Sequence, residues 1–208
     1  MMVDVGCNGR ISDGGVFSRS PIAQIIGSAQ HGWPAPSPLR PQSRQPIPYY
    51  IIADDAFPLR PTIMKPFSRR QLTRGELIYN YRLSRARRTV ENAFGLLASR
   101  FRVLQRAINL CPQKVDKIVL ACCALHNYLR RHPTARATYS APGSLDVEDL
   151  DSGVVNPGRW RQEGLWIDCD LIRQGSNNCT CEASEVRDRL HDYVNFEGKV
   201  PWQNRIVQ

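Results

Sequence analysis

Two carboxylates, Asp54 and Asp55, stand directly behind "YYIIA", a run of aromatic and β-branched residues that reads as a strand from Tyr49 to Ala53. An Asp at a strand end accepts local backbone hydrogen bonds, so a turn explains one of the pair. The competing chemistry is a strand-end metal or acid/base site. The next carboxylate of interest is Glu91, 37 positions after Asp54 and one beyond Val90, at the margin of an apolar helical stripe. Arg87 and Arg88 precede it by four and three residues, which suits a surface ion pair worth about 0–1 kcal/mol. A carboxylate at a strand's C-terminal end and another on a helix packed against the same sheet can also converge on a hard divalent cation, Mg2+ or Mn2+, which takes oxygen ligands. Two such ions activate a water or a 3′-hydroxyl and stabilise the leaving oxygen of a phosphodiester.

The elements that must position these residues are unevenly legible. The clearest is a helix from Ser84 to Arg102, with Ala86, Val90, Phe94, Leu97 and Phe101 at spacings of 4, 4, 3 and 4. Pro112 opens a second helix, with Val115, Ile118, Val119, Cys122, Leu125 and Leu129 on one face, and Pro133 ends it. "RVLQRAINL" between them reads as a strand. Upstream, Val3 to Val5 read as the end of a strand running into a Gly-rich turn, an opening that implies missing upstream sequence. Ser12 or Asp13 then caps a short helix continuing through Ile22 to Ile26. Residues 31–48 hold six prolines and form an extended connection, and Thr62 to Met64 pair briefly at a sheet edge. Residues 133–183, with the acidic cluster "DVEDLD", lose periodicity and read as a flexible segment. Ser184 then caps a last helix carrying Val186, Leu190 and Tyr193 or Val194.

Charge narrows the partner. Residues 1–132 carry 20 Lys and Arg against 7 Asp and Glu, and between Arg60 and Arg106 the ratio is 12 to 2. That imbalance suits a phosphate backbone, although an Arg-rich solvated surface is the competing explanation. No apolar run approaches the roughly 18 residues of a membrane span. Seven cysteines without a secretory signal argue against a disulfide framework. Cys122 and Cys123 read as small buried hydrophobes. Cys169, Cys179 and Cys181 with His191 have the wrong spacing for a zinc site, and the triplet at Asn178 is a chance glycosylation sequon.

Several stretches together carry a family resemblance: "IIADDAFPLRPTIMKPF", "LTRGELIYNYRLSRARRTVENAFGLLASRFRVLQRAI", "ACCALHNYLR", "VDVGCNGRISDGGVFSRS" and "VRDRLHDYVNFEGKVPWQ". In these the chain resembles the second half of a Harbinger-type (PIF/Harbinger) transposase-derived nuclease of the DDE endonuclease superfamily, N-terminally truncated. The resemblance implies an α/β, RNase H-like mixed sheet flanked by helices, incomplete at the N-terminus, and three acidic metal ligands. The family's G-D-D-A-F-P motif puts the second ligand on Asp54, with Ala53 replacing the usual Gly. Its R-x-x-E-N-A-F-G motif puts the third on Glu91. Asp55 falls where relatives often have Ser and is read as a turn residue. The first acidic residue has no counterpart, and neither Asp4 nor Asp13 fills the gap.

These readings set the expectations for the fold and the site. Residues 1–132 form the C-terminal portion of the endonuclease domain, 133–183 a flexible acidic and polar segment, and 184–208 a helix and tail. Asp54 and Glu91 are catalytic metal ligands for Mg2+ or Mn2+, and Arg85, Arg87, Arg88 and Arg100 are candidates for DNA phosphate contact. With one carboxylate missing, metal binding is weak and cleavage slight or absent. The resemblance implies a nuclear protein, with the cytoplasm as second location, and a separate Myb-like partner for base recognition. A non-catalytic remnant binding DNA or a chromatin partner is the rival reading. His126 reads as a hydrogen-bonded core residue and Trp202 as the anchor of the tail. Asn92 and Gly95 read as close-packing positions where the helix meets the sheet.

Overall fold

Prolines keep the strands short. In the computed structural model, which describes residues 2–27, 32–40, 45–162 and 179–207, β1 (Ser37–Pro38) pairs antiparallel with β2 (Pro46–Ile47), and β3 (Ile51–Ile52) pairs in parallel with β4 (Ile63–Met64). Pro38 and Pro46 sit inside the first ladder, and Pro58, Pro61 and Pro66 bracket β4, each removing a backbone donor. The expected strand over 49–53 thus contracts to two residues, its ladder closed by Ile51 N–H to Thr62 O and Ala53 N–H to Met64 O, both 2.9 Å. The brief edge pairing expected over Thr62 to Met64 is present as β4 of this two-stranded ladder, with Ile63 and Met64 1% and 0% exposed. A third ladder joins β5 (Val147–Glu148) to β6 (Val155–Asn156). Among the described residues the fold is mixed α/β with three separate two-stranded ladders, not one mixed sheet.

The chain divides into two units, Gly9–Arg87 with Leu171–Gln208 and Met1–Asn8 with Arg88–Asp170. In the first, α1 (Asp13–Arg19) is capped by Ser12, whose hydroxyl accepts from Gly15 N–H. The helix expected to continue is broken at Ser20, whose hydroxyl accepts from Ala23 N–H and starts α2 (Pro21–Gly27) with proline in first position. The core joins Ile47, Leu59, Met64, Tyr79 and Leu83 to Ala183, Val186 and Leu190 of α7 (Cys181–Asn195). Helix α7 starts before Ser184, because Thr180 is the residue whose hydroxyl takes a free N–H, that of Ala183. Trp202 is buried before α8 (Gln203–Ile206) and donates to the Tyr81 hydroxyl at 3.1 Å, tying down the tail as expected.

Helix α3 (Arg74–Arg100) begins ten residues before the expected Ser84. Thr73 and Glu76 form a capping box: the Glu76 carboxylate accepts from Thr73 N–H at 2.8 Å, and the Thr73 hydroxyl accepts from Glu76 N–H at 3.4 Å. Its expected apolar face is largely exposed, with Val90 and Phe94 at 48% and 53%, while Leu96 and Leu97 are buried.

In the second unit, Leu97 packs with Cys122 and Cys123 of α4 (Pro112–Arg131). Both thiols are buried as expected, and burial pushes their pKa up. Arg102–Gln105 is a 3₁₀ turn where a strand was expected. Val3–Val5 are in no ladder; with Val90, Phe94 and Leu97 they line an apolar cavity of about 470 Å3. Pro133 ends α4 and at once opens α5 (Pro133–Tyr139). The stretch expected to be flexible therefore holds α5, the β5–β6 hairpin and α6 (Arg159–Gln162), fixed by Trp160, 2% exposed. Cys169 and Asn178 lie outside the described residues.

Candidate functional site

Asp54 is the first residue past the β3 ladder and opens a turn, its main-chain O accepting from Phe57 N–H at 3.3 Å. Its Oδ1 accepts from Ala56 N–H at 3.1 Å, and Oδ2 lies 3.8 Å from Arg87 Nη2. Helix α1 abuts this turn: a Cβ on Gly14 would fall 2.4 Å from the Ala56 carbonyl oxygen, so only glycine fits there. Asp55 is a turn residue, as expected, and has a second task. Its Oδ1 lies 3.2 Å from Nζ of Lys65, which is 5% exposed, so it compensates a buried ammonium.

Glu91 pairs with neither Arg87 nor Arg88. Its Oε2 accepts from Arg161 Nη2 at 3.3 Å. Arg161 is held more firmly by Asp146, through Nη2 at 2.7 Å and Nε at 2.9 and 3.0 Å, and its guanidinium lies 4.3 Å from the centre of the Trp160 ring. The Asp146 side chain is 0% exposed and also accepts from Gly158 N–H at 2.8 Å. Hydrogen bonding to Asp146, against the cost of burial, raises the Arg161 pKa further above its already basic value.

The residues around Glu91 hold the same segment. Asn92 Oδ1 accepts from Asp146 N–H at 2.8 Å and from Trp160 Nε1 at 3.0 Å, and its Nδ2 donates to the Asp146 carbonyl at 3.1 Å. A Cβ on Gly95 would fall 2.3 Å from a Trp160 ring carbon. Arg88 donates to Glu148 Oε2 at 3.0 Å. Arg88, Glu91, Asn92 and Gly95 follow one another at i, i+3, i+4 and i+7, a single stripe of α3. They grip residues 146–161, so the small residues pack against an indole where a sheet was expected. Sequence reasoning missed Asp146, Trp160 and Arg161. A tryptophan is a poor fit to a disordered segment, and that was the available signal.

The four arginines expected to contact phosphate all have partners inside the protein. Arg85 lies 5.3 Å from the Trp202 ring, Arg87 faces Asp54, and Arg88 is tied to Glu148. Arg100 donates to the Tyr139 carbonyl at 3.1 Å. His126 is a buried, hydrogen-bonded core residue as expected, with Nδ1 2.8 Å from the Tyr139 hydroxyl. Burial, then Arg130, lowers its pKa, while burial pushes Tyr139 up to about 12.

Carboxylate oxygens suit a hard cation, and the side chains of Asp54 and Glu91 are 36% and 33% exposed, within reach of one. The donor number does not fit, because among the described residues no three His, Cys, Asp or Glu lie together. Asp54 and Glu91 belong to separate units. The zinc alternative also finds no group: the Cys179 thiol is 3.2 Å from the Ser184 hydroxyl, and His191 is 3.0 Å from Asp192.

With an Asp past a β-strand and a Glu on the following long helix, the chain belongs to the DDE superfamily endonucleases, whose family profile matches residues 1–127. It is similar to human "Putative nuclease HARBI1", 36% identical over 128 residues, and to its bovine counterpart, 32% over 128; each match covers 60% of this chain and 35% of the relative. Arabidopsis thaliana "Protein ALP1-like" is 25% identical over 198 residues, 92% of this chain and 42% of that one. The chain thus spans well under half the length of these relatives. No solved structure matches it. Among the described residues no helix is long and apolar enough to cross a membrane.

Proposed function

We propose that this chain is part of a DDE-type nuclease of Harbinger descent that acts on DNA phosphodiester bonds, with Asp54 and Glu91 as ligands for Mg2+ or Mn2+. The observation that carries the reading is the family match over residues 1–127, which contains both carboxylates. Their accessibility supports it. The parallel β3–β4 pair followed by α3 supports an RNase H-like arrangement. The protein acts in the nucleus, where its DNA substrate resides. Exposed Arg102, Arg106, Lys114 and Lys117 are the cations best suited to phosphate, because Arg85, Arg87, Arg88 and Arg100 already have partners. The Myb-like partner draws no support from the relatives or the fold.

This polypeptide by itself cleaves DNA weakly or not at all, since each carboxylate faces an arginine and no three His, Cys, Asp or Glu lie together among the described residues. The same pairing favours the second reading, a DNA-binding remnant without catalysis. Nicking of supercoiled DNA in Mn2+, together with DNA affinity measured with and without Mn2+, tests both. Robust cleavage that disappears in E91Q refutes the claim of weak activity. Salt-dependent binding indifferent to Mn2+ favours the remnant.

A further inference from the structure

We propose that a cavity between residues 65–73 and α7 is a phosphate-binding site, which takes a nucleotide by its phosphate. The cavity lies wholly in the first unit, has a volume of about 590 Å3, and includes neither Asp54 nor Glu91 in its wall. Three cations stand on that wall, Lys65, Arg69 and Arg187. Arg69 forks onto Glu76. Lys65, 5% exposed, donates to the Asp55 carbonyl at 3.1 Å, which leaves it further ammonium protons to donate. Arg187 differs from both. No carboxylate pairs with it among the described residues, its buried Nε finds no acceptor there, and its guanidinium lies 4.1 Å from the centre of the Phe67 ring. The ring fixes the position of this charge without neutralising it. Native folds seldom leave a buried donor so, and an oxygen-rich anion is the partner that a guanidinium fork fits best.

The acids on the same wall are not available to Arg187. Glu76 accepts from Arg69, from Thr73 N–H and from the Thr73 hydroxyl, and Asp192 faces His191 at 3.0 Å. Asp188 is exposed, where water and salt screen it. Thr73 also sets the cavity at the start of α3, 27 residues long, whose N-terminal end adds positive potential. A bare phosphate would fill little of the volume. The rings of Phe67 and His191 on the wall offer flat surfaces to a base, so a nucleotide suits the space better than an inorganic ion does. A free nucleotide and a strand of nucleic acid both carry that chemistry.

The full chain is titrated by calorimetry with 2′-deoxyadenosine 5′-monophosphate, with deoxyadenosine, and with a 5′-phosphorylated single-stranded DNA, comparing wild type, R187M and R187K. Wild type binds the nucleotide at least about tenfold more tightly than deoxyadenosine, the factor expected from a charge-assisted contact to phosphate. R187M, whose apolar side chain still covers Phe67, loses that margin, and R187K recovers part of it. If the strand weakens in R187M as the nucleotide does, a nucleic-acid strand supplies the phosphate; if only the nucleotide weakens, the free nucleotide is the ligand. Equal binding of nucleotide and deoxyadenosine by wild type, or wild-type affinity for the nucleotide in R187M, overturns the inference. Should the variants not fold, amide shifts of the wild-type chain decide. Changes on adding nucleotide that gather at residues 65–73 and 187–192 support the site, and changes elsewhere, or none, overturn it. None of these readouts involves Mn2+ or cleavage, so the reading of Asp54 and Glu91 stands or falls separately.

Discussion

Asn92 is the residue on which the second unit's polar organisation turns. Its amide makes three hydrogen bonds at once, to Asp146 N–H, to the Asp146 carbonyl and to Trp160 Nε1. Asn92→Ala strands those groups in a partly buried place, so it should cost about 2–3 kcal/mol, read as a lower urea midpoint followed by tryptophan fluorescence. A second prediction concerns His126. Its folded pKa lies below the ordinary value of 6.5, first from burial and then from Arg130. The folded state therefore binds this proton less readily than the unfolded chain. Its stability contribution is complete above pH 6.5 and is lost as pH falls from there through the lower folded pKa. Urea midpoints between about pH 5 and 7 should fall toward acid, and H126Q should flatten that slope; an unchanged slope refutes the assignment.

At the scale of elements, α3 shows what local rules see and what they miss. Its start follows from Thr73 and Glu76, a capping box readable in "TRGE", yet the apolar spacing from Ala86 to Phe101 pointed to a later beginning. Of the face that the spacing marked, Leu97 is buried while Ala86, Val90 and Phe94 are exposed. Period alone identifies a stripe but not the partner that covers it, and here a neighbouring polar stripe is covered by the hairpin and α6. Gly95 tests that packing. Alanine gains about 1 kcal/mol of helix propensity over glycine, but its Cβ would meet the Trp160 ring, and overpacking costs about 1–3 kcal/mol. The ring has little room to retreat, with Nε1 tied to Asn92 and Arg161 stacked on it. Gly95→Ala should lower the melting temperature and red-shift the emission of Trp160; a stabilised variant with unchanged emission contradicts this packing.

For the whole molecule, charge is the property that reaches a partner. The excess of 28 Lys and Arg over 19 Asp and Glu is concentrated in residues 1–132. DNA binding by the proposed surface should weaken linearly in log salt. Changing Arg102, Arg106, Lys114 and Lys117 together to Ala should make the slope shallower by about 3.6, since each phosphate that a cation neutralises adds roughly 0.9 to it. An unchanged slope, measured by fluorescence anisotropy on duplex DNA at several salt concentrations, would place the DNA-binding cations elsewhere.

Features with a local cause were already legible in the chain. Proline set the lengths of the ladders and the ends of α4, Ser12 capped α1, and the order of motifs marked the family. Folding in three dimensions was needed to choose the company those carboxylates keep. Asp54, one of two adjacent acids, both closes its own turn and faces Arg87, while Asp55 went to a buried lysine. Glu91 passed over the arginines three and four residues away for Arg161, 70 residues distant. Helical period and capping act over at most a few residues, whereas an ion pair is won by whichever cation the fold delivers, and a buried Asp146 with a stacked tryptophan delivered this one.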